Sequence, residues 1–252
     1  MVKKLLIQYQ QTDHFYPIQK ANRQTTINHL MRINRYIAQN TNFSRREADN
    51  LINLKRIKIN NKFAQLFDQV NDKDTVYLDN NIINLKQSKK IVLFNKPPGY
   101  IVSKNGQGQR TIYDILPKDF KNLNYIGRLD KSSSGLLILT DDNELIDQLT
   151  NPKFKKIKQY EIKLNKNLSE DDFYQITNYG VKLNFGISKL NLKNINNREN
   201  EFLVSMYEGK NRQIRRTFEA LNYKIIKLHR IRFAQFKLND LARGTTKIFP
   251  LK

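Results

Sequence analysis

Asp130 is the one acidic residue in the run Gly127-Arg128-Leu129-Asp130-Lys131-Ser132-Ser133-Ser134-Gly135-Leu136-Leu137-Ile138-Leu139-Thr140, where it falls on a loop between two apolar strands. A carboxylate so placed is either a turn former or a catalyst able to attack carbon or remove a proton. The neighbouring serines have no evident general base, because the only histidine in this part of the chain is His229; serine hydrolase chemistry is set aside on that ground. Farther along, Arg212, Arg215 and Arg216 stand at i, i+3 and i+4 in a helix expected over 211–221, with Ile214, Phe218 and Leu221 as its buried stripe. Cations are disfavoured at a helix N-terminus, so an anion must offset them, and Asp130 with a bound phosphate would do so. Gly106-Gln107-Gly108 lacks the Lys-Ser/Thr tail of a phosphate-cradling loop, and Asp141-Asp142 reads as a helix start rather than a metal site.

The elements that must position these residues follow from periodicity. Strands are expected at 91–94, 125–129, 136–140, 156–164, 187–195, 201–207 and 224–236, with helices near 142–150, 169–178 and 211–221. Ser169 with Asp172 marks one helix start and Gly180 one helix end. Strands outnumber helices without alternating with them, which predicts an α+β fold on a mixed, largely antiparallel sheet. Upstream, Ile33, Tyr36 and Ile37 follow helical spacing, and Ser44-Arg45-Arg46-Glu47 is a capping box for a second helix through about Lys55. Arg56-Ile57-Lys58-Ile59, a turn at Asn60-Asn61 and Thr75-Val76-Tyr77-Leu78 add a hairpin. The boundaries expected are an extension at 1–30, removable without loss, a small α+β unit at 31–80, a basic linker at 81–90 and a large domain at 91–252.

Composition narrows the partners. The chain has 252 residues with 45 Lys and Arg against 23 Asp and Glu, a formal charge of +22 that calls for a polyanion. Lys outnumbers Arg 30 to 15, a bias that genome composition alone can produce, so Arg is the better guide; five fall in 32–56 and five in 212–232. Cysteine is absent, which removes disulfides and thiolate metal sites, and His14, His29 and His229 are too scattered for a His-built metal centre. No apolar run spans a membrane and no signal peptide is recognisable, so a cytoplasmic, monomeric protein is expected.

The segment from Met31 resembles the S4 RNA-binding domain, on Arg32-Ile33-Asn34-Arg35-Tyr36-Ile37, Ser44-Arg45-Arg46-Glu47-Ala48 and Ile59-Asn60-Asn61-Lys62. The Asp130 run is similar to the catalytic motif of the S4-domain ribosomal RNA pseudouridine synthases. Asn95-Lys96-Pro97-Pro98-Gly99, Lys158-Gln159-Tyr160 and Gly209-Lys210-Asn211-Arg212-Gln213-Ile214-Arg215-Arg216 match that family's other motifs in order, the last most like the F branch of the enzymes that modify large-subunit RNA. Two positions depart from the pattern: Thr217 stands where an apolar residue is usual, and Asn143 replaces a glycine.

The resemblance implies isomerisation of uridine to pseudouridine in ribosomal RNA, favouring that of the large subunit, with a tRNA as a second substrate. No cofactor is required, and the target nucleotide must be flipped. It further implies Asp130 as nucleophile or base at the sugar, Tyr160 as stacking ring and proton relay, and Arg215 as the partner that aims the carboxylate. RNA contacts are expected from Arg32, Arg35, Ser44, Arg45, Arg46, Lys58, Lys96, Arg128, Arg212 and Arg216. The alternative is an RNA-binding protein that has lost activity, against which the intact Asp130, Tyr160 and Arg215 argue.

Overall fold

A computed structural model describes residues 30–41, 43–84 and 89–250. The expectation for the extension at 1–30 therefore lies, Leu30 apart, outside the described residues, as do four positions of the expected linker.

The N-terminal unit is built as its spacing requires. Helices Ile33–Asn40 and Arg45–Asn53 bury Ile33, Tyr36, Ile37, Ala48, Leu51 and Ile52 against one another and against a four-stranded antiparallel sheet ordered Lys62–Phe63, Ile57–Ile59, Val76–Leu78, Asn81–Ile82. The capping box forms in full: the Ser44 hydroxyl accepts from Glu47 N, and the Glu47 carboxylate accepts from Ser44 N. Asn60 turns the first hairpin at a φ of 54°, a region that Asn tolerates better than most residues. The unit's apolar cluster takes in Ile83 and is separate from the cores of the large domain.

The large domain is built on a nine-stranded sheet with seven strands in its main path: Asn191–Asn194, Glu201–Met206, Lys158–Leu164, Ile225–Phe233, Ser134–Thr140, Ile91–Lys96 and Thr246–Ile248. All neighbours are antiparallel except Ile225–Phe233 with Ser134–Thr140, where His229 pairs Ser134 and Arg230 pairs Gly135. Asn124–Ile126 adds to the far end of Ser134–Thr140. The α+β class and mixed sheet expected from the pattern are thus observed. The expected strand at 187–195 is broken at Lys189 and Leu190, its first part forming a separate hairpin with Val181–Leu183. The edge strand Thr246–Ile248 has no counterpart among the expected strands, because three residues flanked by a glycine turn are too few to show a period.

Burial follows position in the sheet. Both faces of Ile91–Lys96 and Ser134–Thr140 are covered: Val92, Phe94, Leu137 and Leu139 join one core, while Ile91, Leu93, Leu136 and Ile138 join the other. Lys158–Leu164 buries only Tyr160, Ile162 and Leu164, the alternation of a strand covered on one side. The parallel pair brings the backbones together tightly. At Gly135, with φ of 104°, a Cβ would run into the backbone nitrogen and carbonyl of Arg230, so the chain can leave the Asp130 loop only through glycine.

Candidate active site

Asp130, Tyr160 and Arg215, from three separate stretches of sequence, line one cleft of about 270 Å³ together with Arg128, Lys158, Met206, Arg212, Leu228, Arg230 and Phe233. Asp130 sits on the loop between Asn124–Ile126 and Ser134–Thr140, its carboxylate about one-third exposed. Its Oδ2 lies 3.8 Å from Arg215 Nε and 3.8 Å from Arg212 Nη1. These are charge pairs longer than hydrogen bonds, leaving an approach to the carboxylate open.

Arg215 is held from its own side. Its Nη2 donates to Ser133 Oγ at 3.2 Å and its Nη1 to the Ile225 carbonyl at 3.3 Å. Burial disfavours its charge, and the facing Asp130 works in the opposite direction. The helix carrying it is shorter than expected, Gln213–Glu219, and Arg212 precedes it as a left-handed residue at φ 51°. The crowding of three arginines in one helical turn is thereby relieved. Arg212 swings to Asp130 and Glu219, while Arg216 turns to Asn211 and Asn184 and lies over the Phe185 ring. Thr217, the departure from the pattern, is fully buried and bonds both the Gln213 carbonyl and Ser188 Oγ. Arg215→Leu removes the facing charge and two donors from buried acceptors. The expected result is a loss of activity together with about 2 kcal/mol of stability, read by a turnover assay and a denaturant titration.

Lys96 corrects an expectation. Far from meeting RNA, it is wholly buried, and its ammonium donates to the carbonyls of Ser133 at 2.7 Å, Pro97 at 3.0 Å and Asp130 at 3.2 Å. The Lys131 carbonyl lies at 3.5 Å as well, so the three donors of the ammonium serve four carbonyls, three of them on the loop that carries Asp130. Burial pushes its pKa down to about 8, partly offset by the Asp130 charge. Sequence spacing carries a signal for this: in Ile91-Val92-Leu93-Phe94-Asn95-Lys96 the continuous apolar run of a doubly covered strand takes its last lysine inside.

Other expected contacts are placed as follows. Arg45, Arg46 and Arg128 are exposed. Arg32 lies over the exposed Phe67 ring, Lys58 donates to Asn80 Oδ1, and the Ser44 hydroxyl is engaged as a helix cap. Arg35 faces the large domain instead of open solvent, 3.9 Å from Glu144 and 4.0 Å from Asp147, and Asn143 donates to the Ala38 carbonyl beside it at 3.4 Å. Asn143 therefore serves the contact between the two units, and its φ is not positive. Asp142 caps the helix Asn143–Thr150, in line with its reading as a helix start. Ser134 does have a histidine partner, His229 Nδ1 at 2.8 Å, an association that the linear spacing of 95 residues concealed; the pair binds the two parallel strands together.

Three cations of the cleft are missing from the sequence-based set, Lys158, Lys210 and Arg230. Lys158 is visible within the Tyr160 motif, since i and i+2 of a strand share a face; its Nζ donates to the Glu208 carbonyl at 3.2 Å and lies over Phe233. Arg230 follows Leu228 by the same rule, and both line the cleft. Among the described residues no helix is long and apolar enough to cross a membrane.

The RNA pseudouridylate synthase profile matches residues 90–220. The chain belongs to that family. It is 31 % identical over 233 residues to an RNA pseudouridine synthase of Helicobacter pylori, covering 85 % of this chain and 88 % of that one. It is 32 % identical over 218 residues to the dual-specificity RNA pseudouridine synthase RluF of Escherichia coli, covering 85 % and 73 %. With the ribosomal large subunit pseudouridine synthase B of Buchnera aphidicola it shares 35 % over 221 residues, covering 82 % and 88 %. A crystal structure of a pseudouridylate synthase superposes with a TM-score of 0.62 at 25 % identity, over 87 % of this chain and 96 % of that one. This RNA pseudouridine synthase is accordingly an enzyme that isomerises uridine.

Proposed function

We infer that the chain converts a specific uridine of ribosomal RNA into pseudouridine, foremost in RNA of the large subunit and secondarily in a tRNA. Asp130 serves as the catalytic carboxylate toward a nucleotide flipped into the cleft. The observation that carries this reading is the meeting of Asp130, Arg215 and Tyr160 in a cleft that also holds Arg128, Lys158, Lys210, Arg212 and Arg230 among apolar residues. The reaction breaks the C1′–N1 bond, turns the uracil and joins C1′ to C5; the C5 proton leaves and N1 gains one. Asp130 acts at the sugar, either on C1′ or on a sugar proton. Tyr160, largely buried on the cleft wall, offers a ring for the base and a phenol for the C5 proton. The enzyme works as a monomer in the cytoplasm. Mapping pseudouridines in ribosomal and transfer RNA from a strain lacking the gene identifies the target. A single missing modification in large-subunit RNA is expected, and an unchanged map overturns the reading.

The N-terminal unit is proposed as an S4-type module that adds affinity through phosphates, which position an RNA without reading its sequence. Exposed Arg45 and Arg46 open the Arg45–Asn53 helix, where backbone N–H groups also favour a phosphate. Arg45→Ala with Arg46→Ala is expected to weaken RNA binding and to flatten its salt dependence by roughly one unit of slope per phosphate lost. The single-turnover rate at saturating RNA should be kept. A collapsed rate with unchanged affinity would reverse this division of labour.

A further inference from the structure

We propose that Arg230 is a positioning residue for catalysis, holding both ends of the Asp130 loop in register with the cleft. The proposal rests on the reading of Asp130 as the catalytic carboxylate. Arg230 is 2 % exposed, and its guanidinium lies over the Phe233 ring, 5.0 Å from its centroid. Nε donates to the Leu136 carbonyl at 2.8 Å and Nη1 reaches the Arg128 carbonyl at 3.5 Å. Those two carbonyls bracket the loop, two residues before Asp130 and six after it. Its main chain pairs with Gly135, where no side chain fits. Lys96 holds the middle of the same loop through the Asp130 and Ser133 carbonyls. Two buried cations therefore clamp one short segment through backbone oxygens alone, leaving its carboxylate free for Arg215, Arg212 and substrate.

A buried guanidinium is a demanding choice for a merely structural brace. Its Nη2 is buried without a partner, whereas an apolar side chain would leave no such orphan. What the planar fork supplies, and the compact ammonium of a lysine does not, is a pair of donors held at a fixed separation that spans the carbonyls of Arg128 and Leu136. A loop displaced by about 1 Å is enough to lower a catalytic rate by roughly a hundredfold.

The test compares Arg230→Met and Arg230→Lys with Phe236→Leu, which loses buried apolar volume in the core that holds Phe233 without removing either carbonyl contact and so serves as a control for lost stability. Three quantities are read on the full chain: single-turnover rate at saturating ribosomal RNA transcript, RNA affinity, and hydrogen exchange of the segment from Arg128 to Leu136. Arg230→Met is expected to slow the rate about a hundredfold with affinity held, and to speed exchange in that segment while the Arg45–Asn53 helix is unaffected. Arg230→Lys keeps the charge but not the fork, and should stay slow by about tenfold or more. A wild-type rate in Arg230→Lys, an equal loss in Phe236→Leu, or unaltered exchange in the loop would overturn the proposal. If Arg230→Met does not fold, Arg230→Lys decides alone. Should the unmutated enzyme fail on every RNA, the substrate reading falls, and the exchange measurement still judges Arg230.

Discussion

Asp130→Asn is expected to abolish pseudouridine formation while the protein folds and binds RNA as before. The amide keeps the shape of the carboxylate and removes its charge and basicity. Both available routes, attack on the sugar carbon and removal of a sugar proton, need that charge, so a loss of at least about 10⁴-fold is expected, in the range seen when an active-site group is removed outright. Stability should change little. The carboxylate is one-third exposed, and the links from this residue to the rest of the loop run through its main chain, to Ser133 N and Lys96 Nζ. A turn-forming aspartate would accept the amide without loss of function. Turnover and a binding titration on the same RNA therefore separate the two roles.

Lys96→Met carries the largest expected cost in stability. The thioether fills much of the volume of the lysine stem but donates nothing, leaving the carbonyls of Pro97, Asp130 and Ser133 without their shared donor in a site closed to water. Removing one partner of such a buried cationic cluster costs about 3 kcal/mol or more. The loop should loosen as well, so activity is expected to fall with stability, whereas the salt dependence of RNA binding stays as in the wild type. A denaturant titration and a salt series check the two halves. A reduced salt slope with unchanged stability would return Lys96 to the phosphate contacts that its charge first suggested.

That reversal shows where the sequence was legible and where it was not. The Asp130 run, the Tyr160 strand and the Arg215 helix could be found because each is a local pattern, and local patterns also revealed the Ser44 capping box, the turn at Asn60 and the helix start at Asp142. What linear spacing does not carry is the company a side chain keeps across the sheet. Ser134 meets His229, and Arg230 meets the Arg128 and Leu136 carbonyls, only because two distant strands pair in parallel. Arg35 reads as one more basic helix residue until the acidic face of the Asn143–Thr150 helix is placed beside it. Arg212 looks helical by its spacing, yet it adopts a left-handed turn that carries it to Asp130. Charge counted along the chain thus overstates the surface open to RNA, since Lys96 and Arg230 spend theirs inside, on backbone oxygens.

We infer that Asp130 drives the exchange of a carbon–nitrogen for a carbon–carbon bond at a uridine, and the C5 hydrogen reports that exchange directly. Ribosomal and transfer RNA transcripts carrying tritium at uridine C5 are incubated with the enzyme, and tritium released to water is counted. The unmutated enzyme is expected to release one equivalent per target site, and Asp130→Asn none, with both binding the same RNA. Wild-type release by Asp130→Asn would take the chemistry away from this carboxylate, and no release by the unmutated enzyme on any of these RNAs would leave an RNA-binding protein without this chemistry; either result contradicts the account.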